Sequence, residues 1–495
     1  MKPEPGPPSS EFHVPPGPPV IIQGGMGIGV SNWRLARAVS RLGHLGVVSG
    51  TVVDSVFVRR LQDGDPGGHM RRAMERFPLP KVAADALQRY FRPGGRPPGT
   101  PYAVLPMYQQ VVSAARERLT MLAAFVEVHL AKEGHEGLVG MNLLTKVQLP
   151  NLALLYGAML AGADFVLMGA GIPREIPAAL DALALNQPAV LRFQVEAAAS
   201  SEPDWLRFEP ASHWNGVLPD LLRPRFLPLL SSDVLAVSLA RKASGRVDGF
   251  VIEGPTAGGH NAPPRGGSEG AHGPSGANGS AAPQVVYGPR DEVDLAKVRD
   301  LGLPFWLAGG VGSPAGLRQA RAEGAAGIQV GTLFAYADES GLDETLRCTV
   351  LAHAARGEVE VRTDSRASPT GFPFKVVSWE GGPESGAERE RVCDLGYLRN
   401  AYAMPGGRIG YRCTSEPEEV FVAKGGRLED TVGRMCLCNK LLASIGQAQS
   451  RPDGRVEPPV LTSGDDLVLL ATFLAGRTRY SAADVVAYLE PGAQG

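Results

Sequence analysis

Residues 304–332 read PFWLAGGVGSPAGLRQARAEGAAGIQVGT. Two short apolar runs, FWLA and GIQV, flank a helical stretch, PAGLRQARAEG, and each run ends in small residues. A strand, a helix and a second strand in close succession form a unit whose strands pair parallel, because the crossing helix returns the chain to the same edge. The question is whether the rest of the chain repeats this unit.

It does. PVIIQGGMG reads as a buried strand. SNWRLARAVSRLG follows with Leu35, Ala36, Val39 and Leu42 on one helical face and Ser31 as its N-cap. HLGVVSGT is the next strand. GLVGMNL, DFVLMGAG, FLPLLSS and VDGFVIEG supply four more, with helical stretches such as NLALLYGAMLAG and VLAVSLARKASG between them. Strands are expected near 19–23, 45–49, 138–143, 164–169, 226–231, 248–253, 304–308 and 327–330. Eight alternating units argue for a (β/α)8 TIM barrel within the α/β class. An open dinucleotide-binding sheet would need GxGxxG with an acidic residue about 20 positions on, and GGMGIGVSNW lacks that partner.

The remaining chain divides around the barrel. Residues 1–17 read as a disordered Pro-rich tail and 18–355 as the barrel. Within it, 54–136 reads as a helical insertion and 261–290, rich in Gly, Ser, Asn and Pro, as a mobile loop. Residues 189–215 suggest a small hairpin. Residues 356–495 form a C-terminal extension.

With 49 basic and 51 acidic residues, a net charge of −2 offers no attraction to nucleic acid or an anionic membrane. No apolar run reaches the roughly 18 residues of a membrane helix. The N-terminus has no apolar signal region, so a cytoplasmic location is expected.

In barrels, phosphate often binds at the loops after strands seven and eight. Here those loops are AGGVGSP and QVGTLF. Gly309, Gly310 and Gly331 can expose backbone N–H groups there, and Thr332 adds a hydroxyl. The first strand ends in Gly24, Gly25 and Met26, where a flat ring can lie against backbone. Asn142 ends the third strand. The sixth strand runs into EGPTAGGHNAPPRGG (253–267), where His260 stands behind Gly258 and Gly259 as a candidate base or hydrogen-bond donor. Glu253 and Asp248 on the same strand read as ordinary solvated or hydrogen-bonded carboxylates. Asn261 and Arg265 are candidates for an anionic substrate or nucleotide phosphate.

Five cysteines are present. Cys348 stands apart. Cys393, Cys413, Cys436 and Cys438 cluster in the last quarter, where four thiolates suit Zn²⁺ or an iron–sulfur cluster. Buried thiols and a disulfide are the alternatives.

IIQGGMGIGVSNWRLARAVSRLGHLGVVSG, VGMN, EGPTAGGHNAP, LAGGVGSP and IQVGT, in this order, resemble the nitronate monooxygenase (2-nitropropane dioxygenase-like) family, with the flavin-dependent enoyl-acyl-carrier-protein reductases as cousins. TDSRASPTGFPFKVV fits the same superfamily. The resemblance implies an FMN-dependent oxidoreductase, a flavoprotein monooxygenase that oxidises alkyl nitronates with dioxygen. It places Gly24, Gly25 and Met26 along the flavin ring and Asn142 near the ring's polar edge. Gly309, Gly310, Gln329, Gly331 and Thr332 would hold the phosphate, Gly259 would flank the cofactor, and His260 would be the active-site histidine. The alternatives are an NAD(P)H-dependent flavin enoyl reductase acting on an enoyl thioester, and a flavin-free barrel binding a phosphorylated metabolite. A small-molecule substrate, NAD(P)H as a candidate donor and a homo-oligomer are the partners considered.

Overall fold

The computed structural model describes residues 17–197, 204–265, 285–383 and 390–491. The tail expected over 1–17 therefore lies almost wholly outside the described residues, as does most of the loop expected over 261–290.

Eight parallel strands form one sheet: β1 (Ile21–Gln23), β2 (Gly46–Ser49), β3 (Val139–Leu144), β4 (Phe165–Gly169), β5 (Arg225–Leu230), β6 (Phe250–Glu253), β7 (Phe305–Ala308) and β8 (Gly327–Val330). Their order is β1-β8-β7-β6-β5-β4-β3-β2. The two ends meet where the Gln23 amide donates to Leu45 O at 3.0 Å and the Leu45 amide to Ile21 O at 3.1 Å. The sheet is thus a TIM barrel, and the eight strands stand where the apolar runs placed them.

Side chains fill the barrel. Ile22, Val47, Phe165, Leu167, Leu227, Val251 and Trp306 pack inside it. Trp306 closes one part of this core by donating its indole N–H to Pro19 O at 2.6 Å. Each such large apolar side chain contributes roughly 1.5–3 kcal/mol on burial. A second, larger cluster lies between the strands and the surrounding helices.

The first helix, α1 (Trp33–Arg41), begins at Asn32, whose side chain accepts from Leu35 N. Asn32 is the cap where Ser31 was expected, because the Ser31 hydroxyl is committed inward to Gln23 and Gly24. Between β2 and β3 come α2 (Val53–Gln62), α3 (His69–Met74), α4 (Pro80–Tyr90) and α5 (Ala114–Lys132). The last of these packs on α1 and on α6 (Asn151–Leu160), the helix after β3. It is buried over most of its circumference, as expected of a helix that is apolar nearly all round. It is a barrel helix rather than part of an appended layer.

Ala189–Phe193 and Asp204–Phe208 pair antiparallel as the expected hairpin. The C-terminal part folds back over the barrel mouth. Its strands Glu360–Asp364 and Phe374–Ser378 pair with each other, and Asn400–Met404 joins Arg408–Arg412 and Val195–Glu196.

One buried polar network ties this part to the helices. Asp54 of α2 faces Arg116 of α5 at 2.7 Å, with both side chains 5% exposed or less. Tyr397, from the C-terminal part, donates to Asp54 Oδ1 at 2.6 Å, and the Thr120 hydroxyl donates to Oδ2 at 3.1 Å. Removing one partner of such a pair strands the other charge in the core. Asp54→Ala is expected to lower unfolding stability by about 3–5 kcal/mol, read from the urea midpoint. A change below about 1 kcal/mol would mean the network is not dry.

Candidate active site

Parallel pairing carries all eight C-terminal strand ends to one rim. In register, Asn142 sits opposite Ser49, Gln329 opposite Ala308, and Ala308 opposite Glu253. One large cavity opens at this rim. Gly24, Gly25, Met26, Asn142, Gly259, His260, Gly309, Gly310, Gln329, Gly331 and Thr332 all line it. The structure therefore brings every one of these residues together, while the four clustered cysteines, apart from Cys438, lie elsewhere.

At the end of β1 the chain is held close to its neighbours. The Gly24 amide donates to Val330 O at 2.8 Å. The Asn142 amide donates to Gly25 O at 2.8 Å. A Cβ on Gly25 would fall 2.1 Å from Asn142 Cβ and 2.9 Å from Val47 Cγ1, so only glycine fits. Beneath them Gln23, fully buried, donates to Ser31 Oγ at 2.7 Å and accepts from Val47 N at 3.0 Å. Its amide locks β1 to β2.

Asn142 and Gln329 line this cavity, and Asn142 Oδ1 and Gln329 Oε1 are buried with no hydrogen-bond partner, which is unusual for buried acceptors. After β7 the backbone turns at Gly309 and Gly310, both at positive φ, 88° and 69°. A side chain there would be strained, and a Cβ on Gly309 would meet Ala257 N at 2.8 Å. This bare turn and Gly331 next to it form a cradle of backbone. The arrangement fits a flat, hydrogen-bonding group carrying a phosphate, such as FMN. The residues at the ring end are apolar and close; those at the cradle end are small.

His260 sits where the loop after β6 meets the C-terminal part. Its Nε2 is 2.7 Å from Ser368 Oγ, which in turn lies 2.8 Å from Thr370 Oγ1. Its ring stands edge-on to Phe374, centroids 4.9 Å apart. It is half-buried and lines the cavity. Burial pulls its pKa down from 6.5 to about 4, so the ring is neutral near pH 7. Glu253, read from sequence as an ordinary carboxylate, lines the same cavity, and burial pushes its pKa up from 4.5 to about 7. No cation pairs with it among the described residues. The carboxyl of Glu253 can therefore carry or release a proton near neutrality.

Both shifts act on the fold as well. For His260, the neutral form is favoured, so stability is present above pH 6.5 and declines as pH falls toward 4. For Glu253 the protonated form is favoured, so its contribution is full below pH 4.5 and gone once pH passes about 7.

Asn261 turns away from the cavity, its amide donating to Ala257 O at 2.9 Å. Arg265 binds the backbone, donating to Arg290 O at 3.1 Å and to Ser231 O. It borders a second cavity that shares His260 and Glu253 with the first and is walled by Ile172, Leu229, Leu230 and Phe372. Asp248 is bound to Arg223 at 2.6 Å, outside both cavities.

Sequence reading missed the C-terminal contribution. Thr462, Ser463, Gly464 and Asp466 line the main cavity. Thr332 donates its hydroxyl to Asp466 Oδ1, and the Gly464 amide donates to Thr332 Oγ1 at 3.2 Å. Burial raises the Asp466 pKa. The one available signal was SGDD (463–466), a turn sequence with no catalytic pattern.

The four cysteines do converge on one small cavity. The expectation of Zn or an iron–sulfur cluster at Cys393, Cys413, Cys436 and Cys438 finds no support, however. Among the described residues no group of three or more His, Cys, Asp or Glu side chains is arranged to hold a metal ion. The sulfurs are instead engaged separately: Cys413 with Cys393 and with Ser415 Oγ at 3.2 Å, Cys436 with the Asn439 amide at 3.6 Å, and Cys438 with the backbone of Leu398 and Tyr397.

No family profile matches this chain, and no curated protein does. Solved structures are similar to it. One is FabK from Thermotoga maritima, 15% identical with a TM-score of 0.43, over 95% of this chain and 90% of that one. Another is nitroalkane oxidase from Streptomyces ansochromogenes, 15% identical with a TM-score of 0.42, over 96% and 94%. A third is the enoyl reductase domain of MlnA from Bacillus amyloliquefaciens, 10% identical with a TM-score of 0.45, over 95% and 94%. Among the described residues no helix is long and apolar enough to cross a membrane.

The Gly25–Asn142 contact gives a direct test. Gly25→Ala is expected to destabilise by about 1–3 kcal/mol through overpacking. Adding Asn142→Ala, which removes the clashing side chain, is expected to restore part of that loss. A double-mutant cycle in urea measures it; strict additivity would contradict the contact.

Proposed function

We propose that this chain is an FMN-dependent oxidoreductase whose site lies at the C-terminal rim of the barrel, and that its substrate is an alkyl nitronate oxidised with dioxygen. One observation carries the reading. Two bare backbone turns and a neutral histidine line a single cavity.

When bound, FMN supplies two-electron redox chemistry at its ring. The chain's residues do the rest. Gly24, Gly25 and Met26 would line one side of the ring, where the absence of side chains permits close approach. Asn142 and Gln329 would stand beside the cofactor. Backbone N–H groups at Gly309, Gly310 and Gly331, with Thr332, would hold the phosphate.

His260 holds the substrate side. Neutral near pH 7, it offers an N–H to an anionic oxygen or a lone pair to a proton, while Ser368 fixes its ring plane. Glu253 shares the cavity and titrates near neutrality, which suits a group that moves a proton. The walls of the cavity are largely apolar, and hydrogen bonds to charge are stronger beside such walls.

The second cavity supports one other reading. It leads away from His260 between Ile172, Leu230 and Phe372, which suits an extended acyl chain. That favours an NAD(P)H-dependent reduction of an enoyl thioester.

The purified protein is expected to be yellow, with flavin absorbance near 450 nm; a colourless protein that takes up no added FMN would end this proposal. Anaerobic bleaching by propionate 3-nitronate supports the first reading, and bleaching by NADPH alone supports the second. His260→Ala is expected to retain flavin and lose about 10²–10⁴-fold in kcat/KM. The wild-type rate is expected to change with an apparent pKa near 7, the value at Glu253, and Glu253→Gln to remove that limb. An unchanged profile would take the proton from another group.

A further inference from the structure

The stretch TSGDD (462–466) borders the glycine-turn end of the main cavity through Ser463, Gly464 and Asp466. The Asp465 amide donates to Thr256 O at 3.0 Å, and a Cβ on Gly309 or Gly310 would meet Thr256 Oγ1 at 3.1 Å. The stretch is thus attached to the residue that packs on the turn after β7. Behind it, Asp465 is bound at 2.6 Å to Lys375, which is buried.

Asp466 reaches further into the site. The Thr332 hydroxyl donates to Asp466 Oδ1 and accepts from the Gly464 amide at 3.2 Å. A hydroxyl has one proton to give, so in this arrangement Thr332 has none left for a ligand. A Cβ on Gly464 would fall 2.6 Å from Asp466 Oδ1 and 2.9 Å from Thr332 Oγ1, so only glycine lets these groups close on one another. The other carboxyl oxygen stands beside the turn after β7, where a Cβ on Gly312 would lie 3.3 Å from Asp466 Oδ2.

We propose that Asp466 is a latch on the phosphate end of the site: its carboxylate holds the Thr332 hydroxyl and closes 462–466 against the glycine turns, and a phosphate-bearing ligand must displace it to enter. This rests on the cofactor reading above and adds a control to it. The carboxylate and the phosphate compete for the same donor, and two anions at one end of a cavity repel. A ligand that binds only the unlatched form has its apparent affinity reduced by the fraction of protein that is unlatched. Weakening the latch therefore tightens binding, the opposite of what loss of a ligand-holding residue does. A ligand with the same ring and no phosphate does not need the Thr332 proton, so the latch does not oppose it. Asp465, tied to Lys375, keeps the segment in place while the Asp466 side chain lets go.

The test uses the full-length protein freed of flavin, titrated with FMN and with riboflavin and followed by flavin fluorescence. Removing a hydrogen bond to a charged group is expected to make Asp466→Ala bind FMN about tenfold more tightly, or better. Riboflavin affinity is expected to stay at the wild-type value. Asp466→Asn keeps the size of the side chain and removes its charge. It is expected to shift FMN affinity in the same direction, which guards against an Ala variant that does not fold. Without flavin, hydrogen exchange of the peptide carrying Gly464 is expected to be faster in Asp466→Ala than in wild type. Unchanged or weaker FMN binding in the variants would overturn the proposal, weaker binding making Asp466 a residue that holds the ligand. An equal gain for riboflavin, or unchanged exchange, would overturn it as well. If neither wild type nor variants take up FMN, the cofactor reading fails, and the exchange rates decide the latch by themselves.

Discussion

A short run of backbone hydrogen bonds joins the loop after β6 to the C-terminal part of the chain. The Asn261 amide donates to Pro373 O and the Lys375 amide to Gly259 O, both at 2.9 Å. The Gly259 amide donates in turn to Thr462 Oγ1 at 2.8 Å. Positive φ at Gly259, 78°, lets the loop make this turn. Without these bonds the barrel mouth would be open to solvent. With them, Ser368 and Phe374 are set against His260, and Ser463 to Asp466 are set over the glycine turns.

The same clamp explains the electrostatics. Among the described residues neither His260 nor Glu253 has a charged partner, and both are shifted toward their neutral forms by burial. Desolvation on that scale requires a covered site. A barrel rim by itself is a shallow, wet surface. The clamp is itself anchored by Lys375, which is buried and bound to Thr363 at 2.9 Å and Asp465 at 2.6 Å. Folding of the C-terminal part and the acid–base properties of the site are therefore one problem.

The C-terminal part also brings in a second kind of chemistry. Tyr397 lines the main cavity and hydrogen-bonds to the buried Asp54–Arg116 pair. Cys438, whose sulfur lies against the Tyr397 backbone, lines the main cavity beside it. The helices after β2, the sulfur cluster and the rim are thus in mechanical contact through a few side chains. A change in any one of them is felt at the cavity wall because protein interiors are close-packed.

Much of this was legible in the residues themselves. Eight apolar runs with helical stretches between them determined a parallel barrel, since period and length are local properties of the chain. Glycine pairs at 24–25 and 309–310 marked the rim, because a missing Cβ is visible in sequence whatever surrounds it. His260 was visible for the same reason. The character of Glu253 was not: an isolated Glu on a strand looks the same whether solvent or protein covers it. Nor was the role of Asp466, 134 residues from Thr332, or the burial of Cys413, Cys436 and Cys438 around one small cavity with Cys393. Strands, turns and bare backbone follow from neighbours along the chain. Burial, hydrogen-bond partners and the company that thiols keep depend on segments hundreds of residues apart, and only the folded chain brings those together.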